Sequence, residues 1–145
     1  MELKNILIEK LGSKIKEYKE PTNRRIYITI DKDSLAECAR IIFKDMDARY
    51  IVASGVHNED SFEVLYHFGF DKQGIVVSLR VYLDKDNPEI ESLVWLIPGI
   101  EYIERETWEL LGIKFLNNPN LKHFLLAEDW PEGNYPVRKN IKGKK

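Results

Sequence analysis

The stretch that decides the fold is RYIVASGVHNEDSFEVLYHFGFDKQGIVVSLRVYLD, residues 49–84. It divides into three runs rich in β-branched and aromatic residues, about 49–57, 61–70 and 75–83, which predict three strands. The DKQG sequence at 71–74 predicts a tight turn in which Gly74 takes a positive φ, so the strands follow one another as a meander. In the last of them Ile75, Val77, Leu79, Val81 and Leu83 share one face while Ser78 and Arg80 lie on the other. That alternation belongs to a sheet covered by helices on one side and more polar on the other.

Upstream, Leu3, Ile6, Leu7, Leu11 and Ile15 recur at helical spacing and predict a helix over 2–19, ended by Pro21. RRIYITI (24–30) alternates Ile26, Ile28 and Ile30 and predicts a strand. Asp31 or Asp33 is placed to cap a second helix, SLAECARIIFKDM (34–46), with Leu35, Cys38, Ala39, Ile42 and Met46 on one face. Downstream, Asn87-Pro88 and Pro98-Gly99 bracket a short helix at 89–95. A last helix runs from Ile100 to Leu111 with Ile103, Thr107 and Leu110 inward, and Gly112 stands where a left-handed residue closes a helix. Glu101, Arg105 and Glu109, four apart, read as its solvated, salt-bridged outer face. The fold class expected is α+β: a four-stranded, mostly antiparallel sheet packed with two helices in the N-terminal half, then a C-terminal helix and an extended tail. The domain boundary falls at 112, with 113–145 as an extended docking segment that orders on binding.

The apolar share of 43% and charged share of 32% are those of a globular domain, so disorder is not expected. Net charge is −2, but RKNIKGKK at the end holds five of the 22 basic side chains; the remainder, 17 basic against 24 acidic, gives −7 for residues 1–137. An acidic body excludes nucleic acid as the main partner. No apolar run is long enough to span a membrane. One cysteine, Cys38, permits no internal disulfide and lies on an apolar helix face, as a buried thiol would.

The residues offer no handle for metal or cofactor. His57, His67 and His123 lack ligand spacing, and the eight glycines form no phosphate loop. His67, between Tyr66 and Phe68, reads as a half-exposed sheet residue. Trp95, Trp108 and Trp130 bracket the 95–130 region, and Trp130 with Arg138 suits a binding surface as well as an intramolecular clamp.

Residues 104–139 resemble a known family, the 30 kDa-type subunit of the proton-pumping NADH:quinone oxidoreductase, respiratory complex I, and its counterparts in membrane-bound [NiFe]-hydrogenases. The family pattern E-R-E-x-x-D-x-x-G-I-x-F is met by Glu104, Arg105, Glu106, Gly112, Ile113 and Phe115, with Glu109 in place of the Asp. Pro119 and Leu121 keep a P-x-L, Asp129-Trp130 a D-W, and Pro136, Arg138 and Lys139 a P-x-R-K. Asn117-Asn118 and Asn134-Tyr135 stand where the pattern has G-H. The resemblance implies a subunit with no catalytic centre and no cofactor of its own, peripheral on the cytoplasmic face of the cell membrane and held there only through its complex. Its partners would be the large quinone- or NiFe-bearing subunit, which it braces, and the iron–sulfur small subunit. The interface residues implied are Glu104, Arg105, Glu106, Trp108, Glu109, Pro119, Leu121, Trp130, Pro136, Arg138 and Lys139. The short chain and the lost G-H elements lean towards a hydrogenase-type or archaeal-style complex. The competing readings are a stand-alone protein-binding module and a hydrolase using Glu104 or Glu106 with His123.

Overall fold

The computed structural model of the chain describes residues 2–121, 131, 133 and 135–138. Its elements are, in order, α1 (Leu3–Leu11), β1 (Glu17–Thr22), β2 (Arg25–Ile30), α2 (Leu35–Arg40), β3 (Arg49–His57), β4 (Ser61–Phe70), β5 (Ile75–Asp84), β6 (Glu89–Glu91), α3 (Glu101–Leu111) and β7 (Lys114–Leu116). The class is α+β, and the main sheet has five strands in the order β1-β2-β5-β4-β3, mostly antiparallel. The meander falls where the sequence places it, with Gly74 at φ +68°. The residues cluster into two compact units, Met1–Ala53 with Leu65–Val81, and Ser54–Val64 with Tyr82–Lys145.

In the first unit β2 and β5 pair in parallel, setting Ile26, Ile28 and Ile30 beside Val77, Leu79 and Val81. All six are buried, and with Leu3, Leu7, Leu11, Leu35, Cys38, Ala39 and Ile42 they form the core of this unit. Burial pushes the Cys38 thiol up to about 11, so it stays protonated at neutral pH as an apolar filler. His67 is half-buried and its Nδ1 shares a 2.7 Å hydrogen bond with the Ser78 hydroxyl. Burial first, and the charge of Arg25 second, hold its pKa below the usual histidine value.

Three expectations are corrected here. The first helix stops at Leu11 rather than 19: Gly12 turns to φ +56°, and the chain leaves through a short 3-10 turn, Gly12–Lys14, to enter a strand. That strand, β1, is the fifth and lies at the sheet edge, where Pro21 is tolerated because it need not donate to a neighbour; the register shifts between Lys19 and Thr22. The second helix is split into α2 and a π-helical turn, Ile41–Asp45, and neither Asp31 nor a later side chain caps it; a 3-10 turn, Lys32–Ser34, leads in instead. Leu35, Cys38, Ala39 and Ile42 nonetheless share the buried side.

In the second unit the segment expected as a helix at 89–95 is β6, paired in parallel with β7. The pairing sets Ile90 beside Phe115, both buried, while Glu89 and Glu91 alternate outward to half-exposed positions. α3 lies close against β3: a Cβ at Gly55 would stand 2.7 Å from Thr107 Cγ2 and 3.0 Å from Leu111 Cδ1. Only glycine permits that approach without displacement of the helix.

Candidate functional site: the third helix and the chain that follows it

α3 is entered through a 3-10 turn begun by Pro98, a residue that lacks the N–H a helix start leaves unpaired. Its first turn carries Glu101 and Glu104, acids that suit the positive end of the helix dipole. The expected facing of this helix is corrected: the fully buried residues are Glu104, Glu109 and Leu111, whereas Ile103, Thr107 and Leu110 are only half-buried. Glu109 is therefore not part of a solvated face.

Glu104 is 1% exposed, and both of its oxygens are occupied. Oε1 accepts from the Ser92 hydroxyl at 2.7 Å and from Asn118 Nδ2 at 2.8 Å, and Oε2 accepts from the Leu93 backbone N–H at 2.9 Å. Burial raises its pKa; the three hydrogen bonds pull the other way, and the charge of Glu91 adds to the rise. Glu104 thus joins the chain after β6, the first turn of α3 and the chain after β7. Beside it Asn117 Nδ2 donates to Glu91 Oε2 at 2.9 Å.

These contacts account for one departure from the family pattern. Asn117 stands where the pattern has glycine and takes φ +68°, a region that asparagine tolerates better than most residues. Asn118 stands where the pattern has histidine and supplies an N–H to Glu104. In this chain the pair thus supplies a positive φ at Asn117 and a donor to Glu104 at Asn118.

The other end of α3 is closed by residues far along the chain. Gly112 takes φ +82° and its N–H returns to the Trp108 carbonyl. Val137 N–H donates to the Leu110 carbonyl at 3.0 Å, and Arg138 Nε donates to the Leu111 carbonyl at 2.6 Å. The last carbonyls of a helix lack partners within it, and a cation there meets the negative end of the dipole. The Arg138 guanidinium also lies 4.9 Å from the Phe62 ring centre and 4.7 Å from that of Tyr135. Residues 135–138 act as a strap over the helix end.

Of the other implied interface residues, Arg105 is half-buried with its guanidinium over the Tyr102 ring, and Glu106, Trp108 and Leu121 are half-buried. Pro119 and Pro136 are exposed. Trp130, Lys139, Asp129, Asn134 and His123 lie outside the described residues. Sequence reasoning missed Ser92, the Leu93 N–H, Asn118, Phe62 and Tyr135 as members of this region. Ser92 and Glu104 are twelve positions apart, a separation with no local signature.

The fold and this region define an α+β domain whose last helix is tied at both ends by the chain that follows it. The family model for the respiratory-chain NADH dehydrogenase 30 kDa subunit matches residues 28–145, and the chain belongs to that family. It is accordingly a subunit of the respiratory-chain NADH dehydrogenase type. The chain is 35% identical to a subunit of the F420H2 dehydrogenase of Methanosarcina mazei over 122 residues, which spans 82% of this chain and 77% of that one. It is 32% identical to a subunit of the NADH-quinone oxidoreductase of a Roseiflexus species over 120 residues, 79% of this chain and 68% of that one. In fold it matches a chain of the membrane-bound sulfane sulfur reductase, an archaeal respiratory membrane complex, with TM-score 0.78 and 20% identity over 94% of this chain and 81% of that one. No helix among the described residues is long and apolar enough to cross a membrane.

Proposed function

We propose that the chain is a non-catalytic assembly subunit that braces the large, quinone- or NiFe-bearing subunit of its complex, beside the iron–sulfur small subunit, on the cytoplasmic face of the membrane. The docking surface is α3 with its preceding turn and the chain beyond β7. Arg105, Glu106, Trp108, Pro119, Leu121 and Pro136 belong to it, as do Trp130 and Lys139. Glu104 and Glu109 support it from inside, and Arg138 holds the strap. The relatives named above favour a dehydrogenase-type complex.

The observation that carries this reading is the exposure of large apolar side chains in the second unit: Trp95 at 57%, Tyr102 at 55% and Val137 at 52%. Exposed aromatic residues, Tyr102 with the Arg105 guanidinium over its ring, have the composition of interface anchors. Tagged chain expressed in its native host is expected to bring down the large subunit. The double variant Trp95→Ala/Tyr102→Ala is expected to reduce that capture by about ten-fold or more, each anchor contributing roughly 1–2 kcal/mol. Its melting temperature should stay near the parent's, since both side chains are exposed. Wild-type chain that captures no large subunit would end this reading.

A further inference from the structure

The small parallel sheet of the second unit has one edge closed and one open. Lys114 N–H donates to the Pro88 carbonyl and Ser92 N–H to the Leu116 carbonyl, both at 2.9 Å, so residues 88, 90 and 92 turn their backbone groups towards β7. Backbone groups alternate in direction along a strand, and those of Glu89 and Glu91 therefore point away from β7. On β7 the outward carbonyl is that of Phe115, and the turn at Asn117-Asn118 closes it, with Asn118 N–H donating to it at 3.3 Å. Among the described residues no backbone group does the same for β6. Its outer edge offers two N–H and two C=O groups on residues that stay half-exposed, while Ile90 between them is buried.

The charge beside this edge is one-sided. Residues 84–91, DKDNPEIE, hold four acids against one base. Asp84, Lys85 and Asp86 are exposed, and none of Asp84, Asp86, Glu89 and Glu91 forms an ion pair among the described residues. Asp84 accepts from the Asp86 N–H and Glu91 from the Asn117 amide, neutral donors that leave the carboxylate charges in place. Lys114 stands opposite Glu89 in the register and is exposed; with it counted, four acids against two bases still leave −2. A third strand laid on β6 would bring its own side chains to about 5 Å from those of Glu89 and Glu91, where an acid is repelled and Lys or Arg attracted. Two strands of three residues are also fewer than a sheet ordinarily needs, and a third would add backbone hydrogen bonds without displacing any.

We infer that β6 takes a third strand from a partner subunit, an extended segment with Lys or Arg beside Glu89 and Glu91 and an apolar residue between them, beside Ile90. The inference rests on the assembly reading above, and the test separates the two. In the intact complex from the native host, a photo-crosslinking residue at position 89 is expected to mark a Lys/Arg-bearing segment of another subunit. The Glu89 and Glu91 amides are expected to exchange with solvent about ten-fold more slowly in that complex than in the isolated chain. Asp86→Lys/Glu89→Lys is expected to lower recovery of the complex at moderate salt about ten-fold, while the melting temperature of the isolated chain stays within about 3 °C of the parent's. Wild-type chain that captures the large subunit, yet shows unchanged exchange at 89 and 91 and a crosslink only to itself, would overturn the strand and leave the assembly reading standing. A charge-reversed chain recovered as well as the parent would overturn the basic partner. Wild-type chain that captures no subunit at all would end both.

Discussion

Replacing Glu104 by alanine is expected to lower stability by about 3 kcal/mol, seen as a fall in the denaturation midpoint with an unchanged slope. The change leaves the Ser92 hydroxyl, the Leu93 N–H and the Asn118 amide without their acceptor. A buried donor that loses its partner costs about 1–3 kcal/mol. Relief from burying a carboxylate offsets part of that sum, since burial is the main cause of its raised pKa. Glu104→Gln separates the contributions. Its carbonyl can still accept from Ser92 and Asn118, but its NH₂ opposes the Leu93 N–H, and a loss of about 1 kcal/mol is expected.

The sign of the pH dependence follows from the same group. Its folded pKa lies above the ordinary 4.5, so just above that pH the native state holds more of this proton than the unfolded state does. Stability from Glu104 is therefore greatest in acid and declines as pH rises from about 4.5 through the folded pKa. The glutamine variant lacks this group, and its deficit relative to the parent should shrink as pH rises through that window. Parallel stability–pH curves for the two proteins would show that Glu104 is not strained by burial. A midpoint unchanged in the alanine variant would show that its three hydrogen bonds do not hold the chain after β7.

The strands of the meander were legible because their signal is local. Period-two alternation, β-branched residues and a glycine at the turn act within a few positions of one another, and Val77, Leu79 and Val81 are buried as their spacing requires. α3 and the Gly112 closure were legible on the same ground. β1 was not, because Leu3, Leu7, Leu11 and Ile15 continue a helical period across Gly12, and Pro21 argues against a strand everywhere except an edge. β6 was hidden because its partner β7 begins at Lys114, and a parallel pair leaves no turn to read.

The candidate site was legible as a motif but not as a geometry. Glu104, Arg105 and Glu106 are picked out by resemblance, yet period alone sets charged residues on the water side of a helix. The burial of Glu104 depends on what the chain after β6 and the chain after β7 bring to it, and those contacts are between segments distant in sequence. Residue types were also deceptive at Asn117-Asn118. The loss of a G-H pair reads as erosion until φ +68° at Asn117 and the Asn118–Glu104 hydrogen bond restore its meaning.

Gly112→Ala is expected to be the second costly change, about 2–4 kcal/mol. Part is backbone strain, about 1–2 kcal/mol for an alanine at φ +82°. The rest comes from the strap. A Cβ at 112 would stand 2.6 Å from Tyr135 Cδ2 and Cε2 and 2.7 Å from Arg138 Nη2, closer than carbon atoms can approach, so ring and guanidinium must move. Their movement breaks the 2.6 Å bond from Arg138 to the Leu111 carbonyl and uncovers the helix end. The Val137 amide, bonded to the Leu110 carbonyl, should then exchange with solvent about ten-fold faster, while amides inside β4 and β5 keep their protection. Gly112→Asn distinguishes strain from collision: asparagine accepts positive φ, as Asn117 does in this chain, yet carries the same Cβ. It should recover part of the stability and none of the Val137 protection. Adding Arg138→Ala tests the coupling directly, because with the guanidinium already gone Gly112→Ala has less to displace and should cost less than in the parent. Equal cost in both backgrounds, with Val137 still protected, would mean that Gly112 serves the helix turn alone and that the strap is held elsewhere.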